Sequence, residues 1–149
     1  SARHDIYRRF WAQLIERSRP VTVLLANRST SGEHWLSAGI GRAGFGLNFT
    51  LAEDRSRVEC LIRLDKGEDG RNKRAFHALH AQKEAIEHAF GGPLDWQELP
   101  DRYACRICKH IDGGWRTSEA EWPALQDAMI KAMLRLEHAL KDPIHRLAL

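Results

Sequence analysis

The sequence predicts an α+β fold: a two-layer sandwich with a mainly antiparallel sheet of four or five strands and helices packed on one face. Two observations predict it. Apolar residues recur at every second position in the middle of the chain and again near residue 105, and at every third or fourth position in the flanking segments. Paired strand-like runs alternate with helical ones in the order α, ββ(β), α, ββ, α, and antiparallel hairpins of this kind bury one face under helices. The chain has 149 residues, which fits one domain spanning 1–149.

The first helix is expected over about Asp5 to Arg17. Ile6, Phe10 and Leu14 fall one turn apart, and Tyr7, Trp11 and Ile15 widen the stripe. Asp5 suits the N-cap, and Pro20 lies just beyond the end. Asn27 to Gly32 is polar and reads as a loop. Trp35 to Ile40 forms a first strand. Phe45, Leu47, Phe49 and Leu51 then alternate with Gly46, Asn48 and Thr50, and Val58, Cys60, Ile62 and Leu64 with Glu59, Leu61 and Arg63. The break from Glu53 to Ser56 makes these two runs a hairpin.

After a charged loop, Phe76, Leu79, Lys83, Ile86 and Phe90 trace one face of a helix over Lys73 to Phe90. Lys83 would extend its charged end from the rim. Gly91, Gly92 and Pro93 stop it. Leu94 to Leu99 and Tyr103 to Ile111 form a second hairpin turning at Pro100-Asp101. In the last helix Trp122, Leu125, Met129, Met133, Leu136 and Leu140 repeat at helical spacing. Its start is either a capping box of Ser118 and Glu121 or Trp122 with Pro123 in the first position, and Pro143 ends it. Helices 73–90 and 122–141 cover the sheet.

Several chemical signatures fail on inspection. Gly39-Ile-Gly41-Arg-Ala-Gly44 matches a dinucleotide fingerprint by letter, but a strand follows where a helix N-terminus is required, so the glycines read as a turn. Cys105, Cys108 and His110 lack the spacing for covalent haem, and zinc would need a fourth ligand. Cys105 and Cys108 also point to opposite faces of a strand. His80, Glu84 and His88 lie one turn apart without a metalloprotease or di-iron pattern, and read as a solvated helix face. Asp54 and Glu59 resemble the start of a nuclease motif, but Leu61 stands where its lysine belongs. No complete catalytic motif, cofactor or metal site is expected.

What remains is a surface. Lys and Arg exceed Asp and Glu by 23 to 20, a formal charge of +3, too small to argue for a polyanion partner by itself. The distribution is less even. Residues 1–30 hold six Arg against two acids, and residues 101–116 hold four basic residues against two acidic ones. If the two regions meet, they make a basic patch beside Trp11, Trp96 and Trp115, the combination by which single-strand binders attract phosphate and stack bases. Arg63, Arg106, Lys109 and His110 are the candidate nucleic-acid or partner-binding residues, placed on the open face of the sheet.

Three further expectations bound the setting. Three cysteines cannot all pair, which favours a reducing, cytoplasmic environment. No apolar run reaches the length of a membrane span. The chain starts at Ser1 without a methionine, as a C-terminal module of a longer protein would.

Tyr7-Arg-Arg-Phe-Trp11, Val58-Glu-Cys-Leu-Ile-Arg-Leu64, Phe76-His-Ala-Leu79, Lys83-Glu-Ala-Ile-Glu87, Leu94-Asp-Trp96, Arg106-Ile107, Trp115 and Trp122 together resemble a prokaryotic family catalogued as domain of unknown function 4268. The resemblance spans nearly the whole chain and rests on spaced aromatics and helix patterns. It implies an accessory module, found alone or behind nuclease-like domains in proteins linked to DNA restriction and phage defence. It brings no catalytic residues. The function expected is a non-catalytic, nucleic-acid-binding accessory module. The alternative is a homodimerisation or protein-interaction domain, suggested by five Trp and by Leu61 on an otherwise polar face.

Overall fold

Alternation along three strands sets the architecture. Phe45, Leu47, Phe49 and Leu51, then Val58, Cys60 and Ile62, then Cys105 and Ile107 are all buried, and cross-strand register places them on one face. The computed structural model describes residues 1–149. Its strands are β1 (Trp35–Gly39), β2 (Phe45–Leu51), β3 (Arg55–Ile62), β4 (Asp95–Gln97) and β5 (Cys105–Asp112). They form one five-stranded sheet in the order β1-β2-β3-β5-β4, with every neighbouring pair antiparallel.

The helices are α1 (Ala2–Ser18), α2 (Arg71–His80), α3 (Lys83–Phe90) and α4 (Trp122–His145). α4 packs on β2, β3 and β5, with α1 and α3 against it, while α2 covers β5 and β3. Helices and inner sheet face share one hydrophobic cluster that includes Phe10, Trp11, Leu14, Phe49, Phe90, Met133 and Leu140. The fold is therefore the expected α+β sandwich with five strands, and its other sheet face carries no helix.

Several boundaries differ from the sequence reading. α1 begins at Ala2, capped by the Ser1 hydroxyl, which accepts from the His4 N–H, and Asp5 sits inside the first turn. The helix expected over 73–90 is broken at Ala81 and Gln82. Beyond the break, Lys83 pairs with Glu87 one turn along α3 at 2.7 Å, and Ile86 and Phe90 are buried. β4 spans only three residues. α4 starts at Trp122 with Pro123 in its first turn, and it continues through Pro143 to His145. Pro143 removes one ladder bond. The last turn persists because Ile144 is fully buried and Arg42 donates to the Ile144 and Leu147 carbonyls at 2.7 and 2.8 Å.

The glycine-rich segment between β1 and β2 is a turn. Gly44 has φ +90°, and a Cβ there would lie 2.3 Å from the Leu64 side chain. β2 follows it directly, so no helix N-terminus faces these glycines.

Candidate functional site

The open sheet face is built from the residues that alternate with the core. Register aligns Ser37, Asn48, Glu59, Cys108 and Asp95 in one row across all five strands. Ser37 Oγ donates to Asn48 Oδ1 at 2.6 Å, and Asn48 Nδ2 donates to Glu59 Oε2 at 3.1 Å. Arg57 closes the other side of the carboxylate, its Nε 2.6 Å from Glu59 Oε1. Glu59 is only 4% exposed although nothing but side chains covers it. A buried charge is tolerable when it is both paired and hydrogen-bonded, as here.

Cys108 lies fully buried beside Glu59 in this row. Burial, followed by the charge of Glu59, pushes its thiol up to about 12 despite Arg57 and Arg106. A thiol so protonated is a poor nucleophile and a poor metal ligand. Cys60, on the core side, is likewise pushed up to about 12 by burial. All three cysteines are free, and no group of three His, Cys, Asp or Glu side chains is arranged to hold a metal ion.

The four candidate binding residues do not form one cluster. Arg106 is on the open face opposite Leu61, and its Nε donates to Gln97 Oε1. Arg63 continues that face just beyond β3, its guanidinium 5.6 Å from the centre of the Tyr103 ring. His110 lies at the other end, four residues or about 13 Å along β5 from Arg106. Its Nε2 is 2.7 Å from Asp95 Oδ2. Burial works against ionisation of Asp95, but hydrogen bonds from His110 and Gln97, with the nearby charges of His110 and Arg106, hold its carboxyl below the usual range. Lys109 is a correction to the expected placement. It pairs with Val58 across the strands, so alternation sends it toward the helical face.

The expected aromatic neighbours are also occupied. The two Arg-rich regions do meet, with Arg3 4.8 Å over Trp115, but at the start of α1 and away from the open face. Trp11 is fully buried, and its Nε1 donates to the Glu33 carbonyl at 2.7 Å. Trp96 is half-buried and donates to Glu87. Arg3 and Arg116 both lie over Trp115.

The exposed aromatic beside Arg63 is instead Tyr103, 38% exposed. It shares a shallow hollow of about 450 Å³ with Leu61, Arg63, Asp101, Arg102 and Ala104. Neither Arg63 nor Arg102 pairs with a carboxylate. Asn72, 1% exposed, fixes the hollow from behind. Its Oδ1 accepts from the Leu64 and Asp65 N–H groups, and its Nδ2 donates to the Asp65 and Tyr103 carbonyls at 2.9 Å each. One side chain thus holds the segment after Arg63 against the segment carrying Tyr103. Sequence reasoning missed Arg102 and Tyr103 because it assigned Tyr103 to a strand, where it would be one alternating residue among many.

The helix residues His80, Glu84 and His88 are exposed, as a solvated face requires. A larger cavity, about 570 Å³, lies on the helical layer between Val21 and the Ile130–Leu134 face of α4. It shares no residue with the open face.

A family model described as a domain of unknown function, DUF4268, matches residues 6–144. No curated protein and no solved structure matches the chain.

Proposed function

We propose, from the premise that the chain belongs to the DUF4268 family, that it is a non-catalytic accessory module that binds nucleic acid. The setting is a DNA-related protein of restriction or defence type. The contact is made by the Arg63, Arg102 and Arg106 end of the open sheet face. One observation carries this reading. The carboxylates in the middle of that face, Glu59 and Asp95, are engaged by Arg57, Asn48, His110 and Gln97, while Arg63 and Arg102 face solvent without an acidic partner beside an exposed tyrosine. Unpaired guanidiniums attract phosphate, and an aromatic ring next to them offers a platform for a base. Single-stranded segments suit the site, because only an unpaired base can reach the Tyr103 ring.

The role assigned to each residue can be tested separately. Tyr103→Ala should weaken binding of a labelled oligonucleotide by roughly 5- to 100-fold, the loss of one stacked base. Arg63→Ala combined with Arg106→Ala should weaken it further and flatten its salt dependence. Lys109→Ala, directed at the other face, should leave it unchanged. Equal losses for Lys109→Ala and Tyr103→Ala in fluorescence anisotropy would contradict the proposed face.

A further inference from the structure

The two edges of the sheet are not alike. β4 has three residues between Pro93 and Pro100, which blunts it against further pairing. β1 is the opposite outer strand, five residues reading Trp35-Leu-Ser-Ala-Gly39, with no charge and no proline. The His34 carbonyl accepts from the Leu51 N–H at 2.8 Å, which fixes the alternation along β1. Leu36 and Ala38 turn their backbone groups to β2, and Trp35, Ser37 and Gly39 turn theirs outward. Soluble proteins usually protect such an edge, and this one has no protecting device in its own sequence.

The side chains along β1 are self-complementary. Trp35 is 41% exposed at one end of the open face. Gly39 and Gly46 lie side by side at the other end, and a Cβ at either would meet nothing within 4 Å. Trp35 stands four residues away and cannot cover this bare shelf in its own chain. An antiparallel copy of β1 centred on Ser37 changes that, because it sets Trp35 of each copy opposite Gly39 of the other on the same face. An aromatic ring laid over a cross-strand glycine is a known stabilising pair.

The geometry points to β1 as a self-association edge. Two copies of the chain pair β1 to β1 about Ser37 and make a continuous ten-stranded sheet from two five-stranded ones. About six backbone hydrogen bonds form, two at each of the Trp35–Gly39, Ser37–Ser37 and Gly39–Trp35 positions. The open faces of the two copies then run on as one surface. The interface is small, so association is weak and concentration-dependent.

Sedimentation equilibrium of the intact chain from about 10 μM to about 1 mM tests this directly. The mass is expected to rise toward two chains across that range. Ser37→Pro deletes an outward N–H that the β1–β2 ladder does not use, so it should keep the fold and abolish the rise. Ser37→Lys leaves the backbone intact and sets like charges face to face, so it should raise the dissociation constant at least about tenfold. Circular dichroism checks that each variant is folded, and Ser37→Lys decides if Ser37→Pro is not. A wild-type chain that stays monomeric throughout would overturn the inference, as would a folded Ser37→Lys variant that associates as the wild type does.

Discussion

Cys108 illustrates how far a residue's chemistry is set by its neighbours. On the bare sequence, Cys105, Cys108 and His110 invite a metal or haem reading. The fold sends Cys105 into the core and closes Cys108 beneath Glu59 and Arg57. With the Cys108 thiol pushed up to about 12, the thiolate is negligible at neutral pH. Iodoacetamide at pH 8 should therefore leave all three cysteines of the folded chain unmodified over hours and label all three in denaturant, as read by mass spectrometry. Rapid labelling of Cys108 in the folded chain would contradict the burial described. Glu59 shows the same logic from the other side. Its partner Asn48 is directly opposite in the hairpin, so the pair follows once the register is known. The second lock, from Arg57 two residues along the same strand, depends on rotamers that no sequence pattern specifies.

At the scale of elements, α3 and β4 are joined by one carboxylate. Glu87 accepts from Lys83 Nζ at 2.7 Å, from the Leu94 N–H at 2.8 Å and from Trp96 Nε1 at 3.1 Å. The hydrogen bond from Lys83, then that from Leu94, lowers its carboxyl from 4.5 to about 2. A carboxyl depressed on folding stabilises the native state fully above its ordinary range and loses that contribution as pH falls through the folded value. The stabilisation from Glu87 is therefore present above about pH 4.5 and fades toward pH 2. Glu87→Gln should lower stability at pH 7 by about 1–2 kcal/mol, and the gap from wild type should close near pH 2. Urea titrations at several pH values measure both. A gap that stays constant with pH would show that the carboxylate is not the latch.

The same elements show what was readable in advance. Strand and helix types follow from period, and the buried positions Phe45, Leu47, Phe49, Leu51, Val58, Cys60 and Ile62 of β2 and β3 are legible as one face. The break at Ala81–Gln82 is not, because no glycine or proline marks it. The extension of α4 past Pro143 has no local signal either, since Arg42, 102 residues from Ile144 in sequence, holds the last turn. Alternation puts Arg63 and Arg106 on the open face, as the structure does, but Lys109 cannot share that face with its neighbour His110, because adjacent strand residues point to opposite faces.

In the whole molecule, one side of the sheet is closed by helices and the other presents polar side chains, most of them tied to one another. Such a network makes a stiff platform and leaves few free charges. The free guanidiniums of Arg63 and Arg102 therefore count for more than the net charge of +3 suggests. No helix is long and apolar enough to cross a membrane. Pairing through β1 would double the surface and bring two such basic ends into one assembly, which strengthens binding to a long strand through multivalency. The basic, aromatic end of the open face is read out by the anisotropy of a labelled single-stranded oligonucleotide titrated with the chain across a salt series. Three guanidiniums on phosphates predict that log K falls with log salt at a slope of about −2. Absence of binding at the lowest salt, or binding indifferent to salt, would contradict it.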